Sequence, residues 1–147
     1  MKMRVGRYTD EQLTHVYDRS SGYCHLCGKK LALSNYARVG FRGAWEVEHS
    51  HARARGGSDR LSNLYAACFK CNRDKGTIST RSARAWHGRT RAPLSCERRE
   101  EARRDNALAG ALVGGFVGLL GGPGGVLLGM LFGGAVGYEQ NPDETAA

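Results

Sequence analysis

The N-terminal sequence lacks the apolar segment of a secretory signal peptide. Residues 1–12 read MKMRVGRYTDEQ, and no run of hydrophobic residues follows the first basic positions. Paired cysteines in a small protein without an export signal favour zinc over disulfide bonds. We therefore expect a chain that works in the reducing cytoplasm, with its paired cysteines bound to a metal ion.

Acidic residues are scarce beside basic ones in residues 1–106, and charge is absent altogether from residues 107–138. The first of these segments contains all 22 lysines and arginines but 11 acidic residues. Arginine supplies 17 of those cations, and its planar guanidinium suits phosphate oxygens. This balance is typical of a nucleic-acid-binding protein, although a merely soluble basic surface has the same composition.

Four of the five cysteines form two C-x-x-C pairs, Cys24/Cys27 and Cys68/Cys71, separated by 40 residues. Thiolates at positions i and i+3 can share one tetrahedral zinc ion, and a second pair completes a four-thiolate site. Such a closed site leaves no position for water, so the zinc would be structural and would stabilise a small core. Two unrelated thiol pairs, or a redox-active pair, are the alternative interpretation.

Local patterns predict the elements around these cysteines. Thr9 and Gln12 have the spacing of a capping box, which predicts a helix that ends near Arg19. Alternation of apolar and acidic residues predicts a strand over 44–48, and residues 64–67 predict a second short strand.

A longer pattern lies between and just after the cysteine pairs. Its parts, in chain order, are Glu48-His49, Gly56-Gly57, Asn63-Leu64, Asn72 directly after Cys71, and Lys75-Gly76. This order resembles the HNH endonuclease family in its four-cysteine form, over residues 24–76. The resemblance implies an α+β fold with a ββα-metal (His-Me finger) core and flanking helices.

The same resemblance implies roles for the site residues. His49 would be the general base that deprotonates the attacking water, and Asn63 would orient it through hydrogen bonds. Glu48 and Asn72 would bind one catalytic divalent cation. Magnesium suits so few protein oxygen ligands; manganese or nickel is the alternative if His51 is a further ligand rather than a loop residue.

Four basic residues flank this pattern and are candidates for contacts with DNA phosphates: Arg53, Arg55, Arg73 and Lys75. Phosphate contacts position a nucleic acid but carry no base information. Since nothing in the sequence resembles a recognition helix, we expect little sequence specificity.

Residues 107–138 contain 12 of the 21 glycines, many of them spaced by four. Small residues at this spacing let helices approach closely in membranes, and the segment is similar to a glycine-zipper hairpin. A half-inserted hairpin, a single kinked span, and a soluble hairpin that packs on itself or forms homo-oligomers through its glycine face are the alternatives. We expect membrane association, and the arginines before Ala107 would keep the basic domain on the cytoplasmic face.

These patterns predict four segments: an HNH nuclease domain with a zinc knuckle (1–85), a linker and charged helix (86–106), a hydrophobic hairpin (107–138) and an acidic disordered tail (139–147). The predicted protein is a metal-dependent endonuclease that cuts DNA with low specificity at the inner face of the membrane. The alternatives are a catalytically inactive zinc-knuckle module that binds nucleic acid, and a secreted nuclease toxin.

Overall fold

The computed structural model describes residues 4, 5 and 7–145, and the chain divides into two compact units between Ser95 and Cys96. The first unit contains the helices and strands listed here in chain order: β1 (Arg4–Val5), β2 (Tyr8–Thr9), α1 (Asp10–Asp18), β3 (Trp45–His49), β4 (Leu64–Cys68), α2 (Phe69–Lys75) and α3 (Thr80–Ala85). The second unit contains α4 (Cys96–Gly118), α5 (Gly122–Glu139) and α6 (Pro142–Thr145).

Helix α1 begins at the predicted capping box. The Gln12 amide N–H donates to Thr9 Oγ1 at 3.3 Å, and the Thr9 N–H donates to Gln12 Oε1 at 2.9 Å. The helix buries Leu13 and Val16 against the rest of the unit. Its last residue is Asp18, one position before the predicted end.

Strands β3 and β4 pair antiparallel, with Trp45 opposite Cys68 at one end and His49 opposite Leu64 at the other. Strand β4 leads directly into α2, so the order is strand, strand, helix, as the resemblance implied. Helix α2 begins at Phe69, and the second C-x-x-C pair lies across its first turn.

The core of the first unit forms around Trp45, which is fully buried. The rings of Tyr17 and Tyr36 pack against it, with centroids 5.6 and 5.1 Å away. Cys24 and Cys71 belong to the same buried cluster, so the cysteine pairs are part of the core rather than an appendage to it.

In the second unit, the charged helix does not end near Asn106 as predicted. Helix α4 continues through that position to Gly118, because backbone hydrogen bonds from i to i−4 do not depend on side-chain charge. The boundary at residue 107 is therefore a change of composition within one helix.

The acidic tail was predicted to be disordered, but residues 142–145 form α6. In this helix the Asp143 N–H donates to Asn141 Oδ1 at 3.2 Å. Residues 146–147 lie outside the described residues.

Helices α4 and α5 form a hairpin whose glycines face each other. A Cβ added to Gly114 would lie 2.0 Å from the carbonyl oxygen of Gly129, and one added to Gly110 would lie 2.1 Å from that of Gly133. Only glycine permits this approach. The large apolar side chains consequently point outward, and Phe116 and Leu120 are 76% and 95% exposed. By length and composition, the helical segment Cys96–Glu139 is sufficient to cross a membrane.

Candidate metal centre and active site

The two cysteine pairs meet in one cluster, which we call the zinc knuckle. The Sγ atoms of Cys24, Cys27, Cys68 and Cys71 all lie within 4.8 Å of one another, and those of Cys27 and Cys68 are 4.0 Å apart. Thiolates around a tetrahedral zinc ion at about 2.3 Å lie about 3.8 Å from each other. The donor set therefore fits one tetrahedral metal ion, as the spacing predicted.

The electrostatics of the zinc knuckle also fit a cation. A hydrogen bond with Cys27 lowers the pKa of the Cys24 thiol, but the neighbouring Cys68 and Cys71 sulfurs and burial raise it by more, so the net shift is upward. Neighbouring anions in a buried site repel one another. A bound divalent cation would remove this penalty, and its binding would be coupled to loss of the thiol protons.

Glu48, at the penultimate position of β3, is buried between two basic side chains. Its Oε1 lies 2.6 Å from Lys75 Nζ and its Oε2 lies 2.8 Å from His25 Nε2. The second pair is close but poorly aligned for a hydrogen bond. Burial raises the pKa of Glu48, yet the His25 and Lys75 contacts outweigh it and the net pKa is lowered. Glu48 is therefore held as a carboxylate.

This arrangement bears on the predicted catalytic cation. Both Glu48 oxygens already contact side chains, so a cation would have to compete with Lys75 for this carboxylate. Asn72 lies on α2 and is partly exposed. Within the described part of the chain, the zinc knuckle is the one group of three or more His, Cys, Asp or Glu residues arranged to hold a metal. The roles of Glu48 and Asn72 as ligands stay predictions.

His49 ends β3 and points away from Glu48, as alternation along a strand requires. Its side chain is 13% exposed, and Nε2 lies 2.8 Å from Asp59 Oδ1. Asp59 also pairs with Arg7, and Arg53 Nε lies 3.9 Å from it. The hydrogen bond with His49 is the main cause of a lowered Asp59 pKa.

Asp59 was missed by the sequence analysis. It is the one acidic residue in residues 49–63, between the Gly-Gly step and Asn63, and that isolation is the signal that could have identified it.

Asn63 ties together the loop that follows His49. Its Oδ1 accepts from the His51 N–H at 2.7 Å, and its Nδ2 donates to the carbonyls of His51 at 3.0 Å and Ser58 at 2.8 Å. The Ser50 N–H donates to the Asn63 carbonyl at 2.9 Å. These bonds fix the path of the chain on the C-terminal side of His49.

The segment that contains this geometry, residues 24–77, matches the family model described as HNH endonuclease. We call residues 24–77 the HNH domain, after the family to which this segment is similar. The match begins at the first cysteine of the zinc knuckle and ends just after α2, and it agrees with the resemblance found over residues 24–76. No curated protein and no solved structure gave a significant match.

The basic residues predicted to contact phosphate divide into two groups in the HNH domain. Arg53, Arg55 and Arg73 are exposed and available to a ligand. Lys75 is not available, because it is 1% exposed and its Nζ contacts Glu48 and donates to the His49 carbonyl at 3.0 Å. Its role in the HNH domain is to neutralise a buried carboxylate and to hold the end of β3.

Proposed function

We propose that this protein is a metal-dependent endonuclease that hydrolyses DNA phosphodiester bonds, with His49 as the general base. The observation that supports it best is the position of His49: a partly exposed imidazole at the end of β3 in an HNH domain, with its ring held by Asp59. Imidazole suits this role because its ordinary pKa lies near neutral pH.

The contact with Asp59 assigns a role to each ring nitrogen of His49. Asp59 has a lowered pKa and so accepts a hydrogen bond as a carboxylate. Nε2 therefore carries the hydrogen in this contact, and Nδ1 keeps the lone pair. In this proposal Nδ1 takes the proton from the attacking water, and Asp59 stabilises the imidazolium that forms.

A divalent cation at this site, magnesium or alternatively manganese or nickel, would stabilise the negative charge that develops on the phosphate and the leaving oxygen. Asn72, with water, would hold it, and Glu48 would join if it released Lys75. The zinc knuckle would serve a structural role, since a four-thiolate site leaves no position for a substrate.

Arg53, Arg55 and Arg73 are the proposed contacts to DNA phosphates. All three are exposed, and arginine binds phosphate oxygens with two parallel N–H groups. Contacts of this kind orient the backbone without reading bases, which supports low sequence specificity.

The proposal includes membrane association through the α4–α5 hairpin, with the HNH domain at the inner face. The outward apolar side chains support it, since a water-exposed surface of this kind is costly. At 1.5 Å per residue, the apolar part of α4 is about 18 Å long and α5 about 27 Å, both short of the ~30 Å hydrocarbon core. A half-inserted hairpin that returns to the same face suits these lengths. A homo-oligomer through the glycine face would require the two helices to separate first.

The test of the nuclease is cleavage of supercoiled plasmid by the full chain in mild detergent with Mg²⁺. His49→Ala should abolish cleavage, while His15→Ala, at an exposed histidine on α1, is the matched control and should retain it. Equal cleavage by His49→Ala and the parent would refute the assignment of the base. Plasmid binding without cleavage in Mg²⁺, Mn²⁺ or Ni²⁺ would favour the inactive binding module instead.

The membrane part is tested separately by flotation of the full chain with phosphatidylcholine vesicles. A protein that stays at the bottom of the gradient would refute membrane association and leave the nuclease proposal intact.

A further inference from the structure

Residues 84–89, which cover the end of α3 and the turn after it, lie beyond the segment that matches the HNH family. The sequence predicted a linker from residue 86. Instead the chain turns back, with the N–H groups of His87 and Arg89 donating to the Arg84 carbonyl at 2.9 and 3.0 Å. This turn brings three side chains, those of Arg84, His87 and Arg89, against the zinc knuckle.

The His87 side chain contacts a metal ligand directly. Its Nε2 lies 3.5 Å from the Sγ of Cys71. A metal-bound thiolate can only accept a hydrogen bond, so Nε2 is the donor when the site is loaded. A hydrogen bond to a ligand atom fixes its orientation and tunes its basicity.

Arg84 holds the other side of the zinc knuckle through His25, which stands between Cys24 and Cys27 in the sequence. Its Nε donates to the His25 carbonyl at 2.9 Å, and its Nη2 donates to His25 Nδ1 at 3.0 Å. His25 itself is fully buried and stacks on the Tyr65 ring with centroids 4.7 Å apart. Two hydrogen bonds therefore anchor the loop that carries the first cysteine pair.

Arg89 covers the same loop from outside. A Cβ added to Gly28 would lie 2.4 Å from Arg89 Nη1, so the guanidinium lies against this glycine, directly after Cys27. Gly28 has φ +74°, a left-handed conformation that favours glycine in any case. A zinc ion with four thiolates carries a formal net charge of −2, and nearby cations stabilise it.

We propose that residues 84–89 form an outer clamp of the metal site. In this clamp His87 donates Nε2–H to the Cys71 thiolate, Arg84 fixes the Cys24–Cys27 loop through His25, and Arg89 offsets the charge of the thiolates. The clamp extends the metal centre of this chain past the end of its family match.

The clamp is tested with the full zinc-loaded chain by measuring the affinity for zinc in competition with a chromophoric chelator. This readout does not involve DNA cleavage, so its outcome is independent of the nuclease proposal. His87→Ala should weaken zinc binding by about 10- to 100-fold, the usual effect of removing an outer-shell partner. His87→Gln keeps an N–H donor and should recover most of that loss.

His15→Ala removes an imidazole from an exposed position on α1 and is the matched control, with zinc affinity equal to that of the parent. Arg89 is half-exposed, so its substitution is less apt to unfold the protein. Arg89→Gln should weaken zinc binding several-fold. If His87→Ala and Arg89→Gln both bind zinc like the control, the clamp is refuted. If His87→Gln is as weak as His87→Ala, the donor role of Nε2 is wrong.

Discussion

Replacing Lys75 by methionine should destabilise the first unit more than the replacement of any exposed charged residue on α2. Lys75 Nζ lies 2.6 Å from Glu48 Oε1 and 3.0 Å from the His49 carbonyl, and both side chains of the ion pair are at most 2% exposed. Methionine keeps the length and apolar stem but removes the charge. It leaves Glu48 buried beside His25, whose pKa burial lowers, so that the histidine is a poor replacement cation.

The magnitude follows from the burial of this pair. Breaking a buried ion pair by removing one partner typically costs about 3–5 kcal/mol, because an uncompensated charge remains. At a typical urea dependence of about 2 kcal/mol per molar, such a loss lowers the unfolding midpoint by about 2 M. The assay is urea unfolding of the zinc-saturated full chain, followed by tryptophan fluorescence. Trp45 is fully buried in the folded state and should give most of the change, since Trp86 is already 58% exposed.

Lys70→Met is the matched control, since Lys70 lies on the same helix and pairs with Asp74 at an exposed site. Exposed i,i+4 pairs contribute little, so its midpoint should stay near that of the parent. Equal midpoints for Lys75→Met and Lys70→Met would refute the reasoning. The double variant Glu48→Gln/Lys75→Met removes both charges and should recover part of the loss; no recovery would mean that packing, not charge, sets the cost.

Three further outcomes are expected. Removing the metal with a chelator should unfold the first unit, since the zinc knuckle is part of its core. A change in tryptophan fluorescence as the buried Trp45 becomes exposed would report the unfolding. An unchanged spectrum would contradict a structural metal. Asp59→Ala should slow single-turnover plasmid cleavage by about 10-fold or more without changing plasmid binding, because general-base catalysis as a whole is worth about 10²–10⁴-fold. An unchanged rate would show that Asp59 does not position His49. Gly114→Ala should lower the thermal stability of the hairpin in detergent, because its Cβ would meet a carbonyl oxygen at 2.0 Å. Gly124→Ala, where an added Cβ would point into open space, should leave that stability unchanged. Equal melting temperatures of the two variants by circular dichroism would contradict the close helix contact.

The parts of the fold that depend on short-range signals were predictable from the sequence. The capping box of α1 is formed by Thr9 and Gln12, and its hydrogen bonds join residues three positions apart. The cysteine cluster follows from the i, i+3 spacing of each pair, since that spacing already places two thiolates on one side of a turn. Both strands of the β3–β4 pair were predicted within one residue of their observed ends.

The parts that depend on contacts between distant segments were not predictable. Residues 86–93 have the composition of a linker, and only the fold brings His87 to Cys71 and Arg89 to Gly28. The continuity of α4 past residue 107 was missed for a different reason. The loss of charged side chains at residue 107 changes whether the helix surface favours water or an apolar environment. The backbone hydrogen bonds of the helix do not depend on side-chain charge, so α4 continues through this position.

Glu48 illustrates how far a motif determines the chemistry of its residues. The Glu48-His49 pair predicts two functional side chains, and alternation along β3 requires that they point in opposite directions. Which of the two side chains faces the interior depends on the partners that the fold supplies. These are His25, from the loop of the first cysteine pair, and Lys75, from α2. Because Lys75 also holds the His49 carbonyl, Glu48 and Lys75 together connect the loop of the first cysteine pair to the strand end that positions the proposed base. A metal that orders this loop would therefore also help to fix the orientation of His49.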